Sequence, residues 1–296
     1  MPDINFDYNA NDDIDIVRDD YERRGFTVLR SGFNEREVEE LFKYALKLEA
    51  LVTKNEILPF EAVDSDASDY ASTPSDFVFR NFGTSIAMMY PSHVITEMKK
   101  IALNANLQNL VSAIIRSDTL RYYYDEIYIK RSQSQNATPY HQDLASLPFS
   151  GSHIPICWTL LTDPHVDQAP LTMVEGSHQI EAIFYPELLD PAAMSSAYKK
   201  LPTVDEFEHA YGCRVVVPDV KKGDTVVFHP KTVHGSLNNN GRGQRVSFVC
   251  RWLGDDVRLD LRDNCVGDPR LRGRRLDTVN FEEIYPVTWN AALNGN

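Results

Sequence analysis

Gln244-Arg245-Val246-Ser247-Phe248-Val249-Cys250-Arg251-Trp252-Leu253 decides the fold, because its two faces differ sharply. Val246, Phe248, Cys250 and Trp252 form an apolar face, while Arg245, Ser247 and Arg251 alternate with them on the other. That period of two is the pattern of a strand. If the polar face looks outward, its arginines are simply solvated. If it looks into a barrel, a buried guanidinium must find an anion, since an unpaired interior charge is very costly. A carboxylate held by both arms of Arg245, with Ser247 adding a hydroxyl donor, satisfies that need. Charge alone favours the solvated reading.

Outward from this strand, 120–130, 153–161, 171–174, 214–217 and 225–229 are further short β-rich runs separated by Gly, Pro, Asn and Asp. About 186–211 reads as a helical insertion among them. The earlier chain is different in character. Residues 13–24 read as a short helix and 25–29 as a strand; from Asn34, a cap with Glu37 three residues on, Val38, Leu41, Phe42, Ala45, Leu48 and Val52 recur at helical spacing. A helical pattern returns over about 92–116. Residues 59–90 lack clear periodicity and read as a long surface loop, with a lid as the functional alternative. Helices first and strands afterwards predict a mainly β fold with flanking helices, a sandwich or rolled barrel. One domain is expected over 1–296: a helical part at about 13–116, a β-rich core at about 117–255, and an extension over 256–296.

His141-Gln142-Asp143 is the chemically loaded motif. In an extended segment residues i and i+2 point the same way, so His141 and Asp143 can reach one metal while Gln142 faces elsewhere. Two imidazoles and one carboxylate on one face of an iron ion leave the opposite face for a co-substrate and oxygen. The third ligand must then come from a distant strand, and His234 and His229 both stand at such positions. Asp163-Pro164-His165 repeats the spacing, but Pro164 in a Pro- and Asp-rich turn argues against a regular strand. His93, His153, His165, His178 and His209 read as structural or exposed.

Composition excludes other classes. The chain has 43 acidic against 30 basic residues, a net charge of -13, and no basic cluster, which argues against nucleic acid and membrane surfaces as partners. Six arginines over 258–275 interleave with aspartates, so a salt-laced surface is expected there rather than capture of an acidic substrate. The four cysteines are scattered and form no Cys-x-x-Cys pair, which fits a reducing compartment. With an acidic amino terminus, no long apolar run and no Ser-Lys-Leu-type ending, a cytoplasmic location is expected.

The order of parts carries more than any one motif. Tyr140-His141-Gln142-Asp143, Trp158 in the next strand, Gly176-Ser177-His178, Gly223-Asp224, His234-Gly235-Ser236, Arg245-Val246-Ser247 and Arg251-Trp252-Leu253-Gly254-Asp255-Asp256 resemble the iron(II)- and 2-oxoglutarate-dependent oxygenases, and more narrowly the phytanoyl-CoA dioxygenase family, over about 15–255. The resemblance implies a double-stranded β-helix, the cupin-like jelly roll. It places Fe(II) on His141, Asp143 and His234 and the distal carboxylate of 2-oxoglutarate on Arg245 with help from Ser247; Lys130 and Trp158 fall on strands near the site by analogy. It also implies O2 as co-substrate, a small-molecule substrate and hydroxylation of an unactivated C–H bond. Asp143 supports that outcome, because halogenating relatives carry a small residue there. One departure stands out: Glu175 occupies the position of the proline in the Pro-Gly-Ser-His of many relatives. Phe149, Tyr122 and Tyr124 are candidates for a pocket lining or for core. Two competing classes are a non-catalytic metal-binding jelly roll and a cupin-like metalloenzyme that uses no keto acid.

Overall fold

The computed structural model describes residues 13–30, 32–54, 78–185, 198–261, 268–271 and 279–294. Its first part holds α1 (Ile14–Arg24), β1 (Phe26–Leu29), α2 (Glu35–Thr53), β2 (Val78–Asn81), β3 (Ser85–Met89), α3 (Thr96–Ala102) and α4 (Ala105–Ile115). Strands then dominate: β4 (Thr119–Lys130), β5 (Thr138–His141), β6 (Phe149–Ser150), β7 (Ile156–Leu160), β8 (Leu171–Glu175), β9 (Phe184–Tyr185) and β10 (Lys199–Lys200). After α5 (Val204–Tyr211) come β11 (Arg214–Val216), β12 (Thr225–Phe228), β13 (His234–Ser236), β14 (Arg245–Leu253), β15 (Arg258–Leu259), α6 (Phe281–Ile284) and β16 (Val287–Asn290).

Two antiparallel sheets form the double-stranded β-helix. The larger runs β1-β12-β7-β14-β4-β3-β2, with β16 also paired to β4, and the smaller runs β11-β8-β13-β5. β14 lies at the centre of the larger sheet, and all its residues are buried, so both its faces are covered. Val246, Phe248, Cys250 and Trp252 pack with Leu41, Leu48 and Val111 from the helices. On the other face Val249 packs with Trp158, Met173 and Phe228 between the sheets. Arg245, Ser247 and Arg251 share that inner face, so the barrel reading of the alternating strand is the correct one. Each large apolar side chain buried in these layers contributes about 1.5–3 kcal/mol.

The structure revises several local expectations. The helical stretch at 92–116 is broken at Leu103 and Asn104, where Asn104 caps α4 by accepting from the Leu107 amide. Of the loop expected at 59–90, residues 55–77 lie outside the described residues, and with them any lid. Residues 78–89 are a β-hairpin that pairs with β4, not a loop. Gly83, at a φ of 77°, supplies the turn, and Ile86 and Met88 face the core. Of the insertion at 186–211, only Val204–Tyr211 is helical among the described residues. The segment after 255 is not a mere appendage, because β16 pairs with the first residues of β4, beyond the reach of β3. In the arginine-rich stretch, Arg258 donates to the Asp255 and Val257 carbonyls and Arg270 pairs with Asp268; arginines 262, 272, 274 and 275 lie outside the described residues. No described helix is long and apolar enough to cross a membrane.

The Asn34 cap is as expected. Its side chain accepts from the Glu37 amide at 3.0 Å while the Glu37 carboxylate accepts from the Asn34 amide at 2.9 Å. Glu37 also accepts from Asn104 Nδ2 at 2.6 Å, tying the start of α2 to α4. Asn34→Ala is expected to lower stability by about 1 kcal/mol in urea unfolding, with metal binding unchanged.

Candidate metal centre

Strand register builds the site. Antiparallel pairing sets His234 of β13 directly opposite His141 of β5, which brings the imidazole centroids to 4.3 Å. The pairing then slips, with Ser236 opposite Thr138, and a bulge of this kind re-aims side chains. Gly235 makes the approach possible, because a Cβ there would lie 2.7 Å from the Thr138 carbonyl oxygen. After His141 the backbone stays extended through Gln142, at φ -109° and ψ 129°, so Asp143 returns to the same side before a 3-10 turn begins. Gln142 is buried facing elsewhere, donating to the Lys231 carbonyl and accepting from the Phe184 amide, each at 2.8 Å.

Asp143 Oδ1 stands 3.3 Å from His141 Nε2 and 3.7 Å from His234 Nε2. One ligand atom from each residue falls within 4.8 Å of the others, and among the described residues no other His/Cys/Asp/Glu group does this. Each imidazole donates Nδ1–H to the carbonyl two residues back: Pro139 at 2.9 Å for His141 and Thr232 at 3.0 Å for His234. Those bonds occupy Nδ1 of each ring and leave both Nε2 atoms toward the carboxylate, the nitrogen that a metal would take in place of a proton. Burial, then His141, pushes His234 down to about 4, so it stays neutral. At His141 burial acts the same way, but the hydrogen bond and charge of Asp143 outweigh it and raise its pKa. For Asp143 burial opposes ionisation, yet the Arg251 charge and the two histidines hold the carboxyl well below its usual range.

Arg251 is the residue the sequence reading passed over. Buried between the sheets, it donates from Nε at 3.2 Å and Nη2 at 2.9 Å to Asp143 Oδ2, and from Nη1 at 2.5 Å to Glu126. Tyr128 donates to the other Glu126 oxygen at 3.0 Å, and the Tyr124 ring lies 4.6 Å from the guanidinium carbon. Parity was the available signal: Arg251 shares a strand face with Arg245, so placing one in the barrel places both there.

Arg245 lines the same cavity as the triad, together with Trp158, Leu171 and Phe228. Its Nη1 donates to Ser247 Oγ at 2.7 Å, its guanidinium carbon lies 5.5 Å from the Trp158 ring, and its buried Nε has no partner among the described residues. Burial pushes its pKa down to about 10. This donor set fits a carboxylate. Ser247 is itself fully buried beneath Arg245 and positions it. Lys130 sits behind the cavity wall, donating to Ser236 Oγ and the Asn136 carbonyl, each at 2.7 Å; burial and then Arg245 lower its pKa to about 7. Phe149 and Tyr122 are core residues, and Tyr124 stacks on Arg251.

The rivals fall elsewhere. His229 accepts from the Lys231 amide at Nδ1, 3.1 Å away, and packs against His178 and Tyr21. Asp163, Pro164 and His165 lie in irregular chain just before the turn at Val166 and Asp167, outside any strand. Glu175, in the place of the relatives' proline, pairs with Arg24 at 2.6 Å and Arg214 at 2.9 Å.

Residues 21–247 match the phytanoyl-CoA dioxygenase (PhyH) family. The chain belongs to that family. It is 29% identical to human peroxisomal phytanoyl-CoA dioxygenase over 121 residues, 40% of this chain and 34% of that protein. A probable phytanoyl-CoA dioxygenase of Caenorhabditis elegans is 29% identical over 120 residues, 40% of this chain and 37% of that one. The chain thus matches about a third of the length of these relatives. Among solved structures, the non-haem alpha-ketoglutarate-dependent carbocyclase SnoK of nogalamycin biosynthesis superposes with a TM-score of 0.65 at 18% identity, over 92% of this chain and 95% of that one. The epimerase SnoN, in complex with Fe3+, alpha-ketoglutarate and nogalamycin RO, gives 0.66 at 18%, over 93% and 98%. EctD from S. alaskensis with bound Fe gives 0.61 at 20%, over 91% and 86%. All three carry the fold described above.

Two outcomes are expected. Gly235→Ala should weaken divalent-metal binding by roughly 10–100-fold in titration calorimetry, because β5 must retreat from β13 and take His141 with it. His229 is held neutral, with a pKa pushed by burial and then by His178 down to about 3, so between about 6.5 and 3 the unfolded chain binds a proton that the native one refuses. Stability should therefore fall as pH drops through that window, and His229→Gln should flatten the dependence of Tm on pH.

Proposed function

We propose that the protein is an Fe(II)- and 2-oxoglutarate-dependent dioxygenase that hydroxylates an unactivated C–H bond of a small molecule, a natural product or lipid-like metabolite. The observation that carries this reading is Arg245: a buried guanidinium with an unpartnered Nε, lining one cavity with a cluster of two histidines and a carboxylate. A purely structural metal site has no use for such an anion clamp, and neither does a metalloenzyme that takes no keto acid. His141, Asp143 and His234 would hold Fe(II), and Arg245, positioned by Ser247, would hold the distal carboxylate of 2-oxoglutarate beside Trp158. Bound iron supplies oxygen activation coupled to oxidation of the keto acid to succinate and CO2. The chain's own contribution is to keep His234 neutral and both imidazoles aimed, to hold the keto acid in one orientation, and to bring the substrate's C–H bond to the open face of the site.

A second outcome has a specific basis, since the fold relatives include an epimerase and a carbocyclase. Product mass separates the outcomes. Hydroxylation adds one oxygen atom, ring closure removes two hydrogens, and epimerisation leaves the mass unchanged.

Anaerobic addition of Fe(II) and 2-oxoglutarate together should produce a metal-to-ligand charge-transfer band that neither gives alone. Arg245→Ala should weaken keto-acid binding at least tenfold while sparing iron, as loss of hydrogen bonds to a charged group implies. Absence of the band in the wild-type protein would rule out the keto-acid reading. Succinate release screened across a metabolite library then identifies the substrate class.

A further inference from the structure

We propose that Arg251 is a positioning residue that confines Asp143 to a single coordinating oxygen and so keeps a metal position open for the co-substrates. The inference rests on His141, Asp143 and His234 being the metal ligands.

A carboxylate can bind a divalent cation through one oxygen or both. Nothing in the Asp143 side chain itself selects between them; the surroundings do. Two donors of one guanidinium, Nε and Nη2, converge on Oδ2 at 3.2 and 2.9 Å. Oδ1 is the oxygen that faces His141 Nε2 and His234 Nε2, at 3.3 and 3.7 Å. The division of labour is thus set before any metal arrives: Oδ1 for the ion, Oδ2 for the arginine.

Arg251 is itself held by Glu126 and the Tyr124 ring, with Tyr128 bracing Glu126. Glu126 accepts its Nη1 at 2.5 Å, Tyr128 fixes Glu126 from the far oxygen at 3.0 Å, and the Tyr124 ring covers the guanidinium at 4.6 Å. The backbone contributes as well. Opposite Arg251 and Trp252 the β4 ladder shifts, so that Arg251 pairs with Tyr124 and Trp252 with Tyr122. Tyr123 is the extra residue, and Tyr123 and Tyr124 then pack in one cluster although they are consecutive. Without Glu126, Asp143 would be the one carboxylate shared between the cation of Arg251 and a dication. With it, the pair is neutral, and Asp143 keeps its charge for the metal.

An octahedral ion held by three protein ligands would keep three positions for the two co-substrates, so the proposed reaction would need all of them. A bidentate Asp143 would occupy one of them. Loss of the clamp is therefore expected to spare metal capture and to impair what binds next.

The test uses the full chain loaded with Mn(II), read by water-proton relaxation, which reports metal-bound waters independently of turnover. The variant Glu126→Gln/Arg251→Met removes the Glu126–Arg251 pair together, so neither of those two charges is stranded and Asp143 is left with the metal as its counter-charge. It should bind Mn(II), show relaxation enhancement about one-third below wild type, and bind 2-oxoglutarate at least tenfold more weakly. A lowered urea midpoint with wild-type relaxation and a wild-type keto-acid dissociation constant would reduce Arg251 to a structural residue and overturn the proposal. If the double variant does not fold, Arg251→Lys, which keeps the charge and loses the fork, decides it: at least fivefold weaker keto-acid binding supports the clamp, and binding within twofold of wild type overturns it. His141→Ala and His234→Ala test the foundation separately. Each should abolish the Mn(II) signal; a signal that survives them removes the ligand assignment, whereas its loss combined with wild-type behaviour of the Arg251 variants removes the clamp alone.

Discussion

The pairing of His234 against His141 is the constraint on which the rest of this molecule turns. Two imidazoles with centroids 4.3 Å apart, both buried or nearly so, cannot both be protonated without severe repulsion. The backbone carbonyls of Pro139 and Thr232 accept the Nδ1 protons, and the two Nε2 atoms converge beside Asp143. A cluster of this kind is arranged for a cation. The smaller sheet supplies both histidines, the larger supplies both arginines, and the metal cluster lies where the two layers close on each other.

The inner face of β14 handles two like charges in two different ways. Arg251 is neutralised within the protein, by Asp143 and Glu126, and stacks on an aromatic ring. Among the described residues Arg245 has no carboxylate partner; it has a serine hydroxyl, the edge of a cavity and a buried Nε without a partner. The contrast separates a residue that holds the protein's own ligand from one suited to a ligand brought from outside. Fixed charge on rigid strands is also the arrangement that costs least reorganisation when an anion arrives.

The sequence made much of this legible for physical reasons that are easy to name. Alternation along 244–253 identified a two-faced strand, the i, i+2 rule placed His141 and Asp143 on one side, and the Asn34 capping box marked a helix start. What it concealed were contacts between remote residues. The partners of Arg251 lie more than 100 positions away, and an alternating strand does not say which face is inward. The hairpin at 78–89 was hidden because its strands are short and irregular in composition, and they become strands by pairing with the long β4. The strand at Val287–Asn290 was hidden for a similar reason, since an edge position on β4 determines it more than its own four residues do.

Chain order has its own bearing on how the site comes into being. β5 brings His141 and Asp143 early, β13 brings His234 much later, and β14, inserted between β7 and β4 in the middle of the larger sheet, arrives after both. During synthesis the three ligands therefore emerge before the guanidinium that restrains one of them, and before the strand that closes the sheet. Iron meeting a nascent chain at that stage would find a looser, unscreened carboxylate. If the cluster holds iron as proposed, ordered metallation would follow the threading of β14, and the last central strand would separate a polypeptide with metal-binding side chains from a defined metal centre.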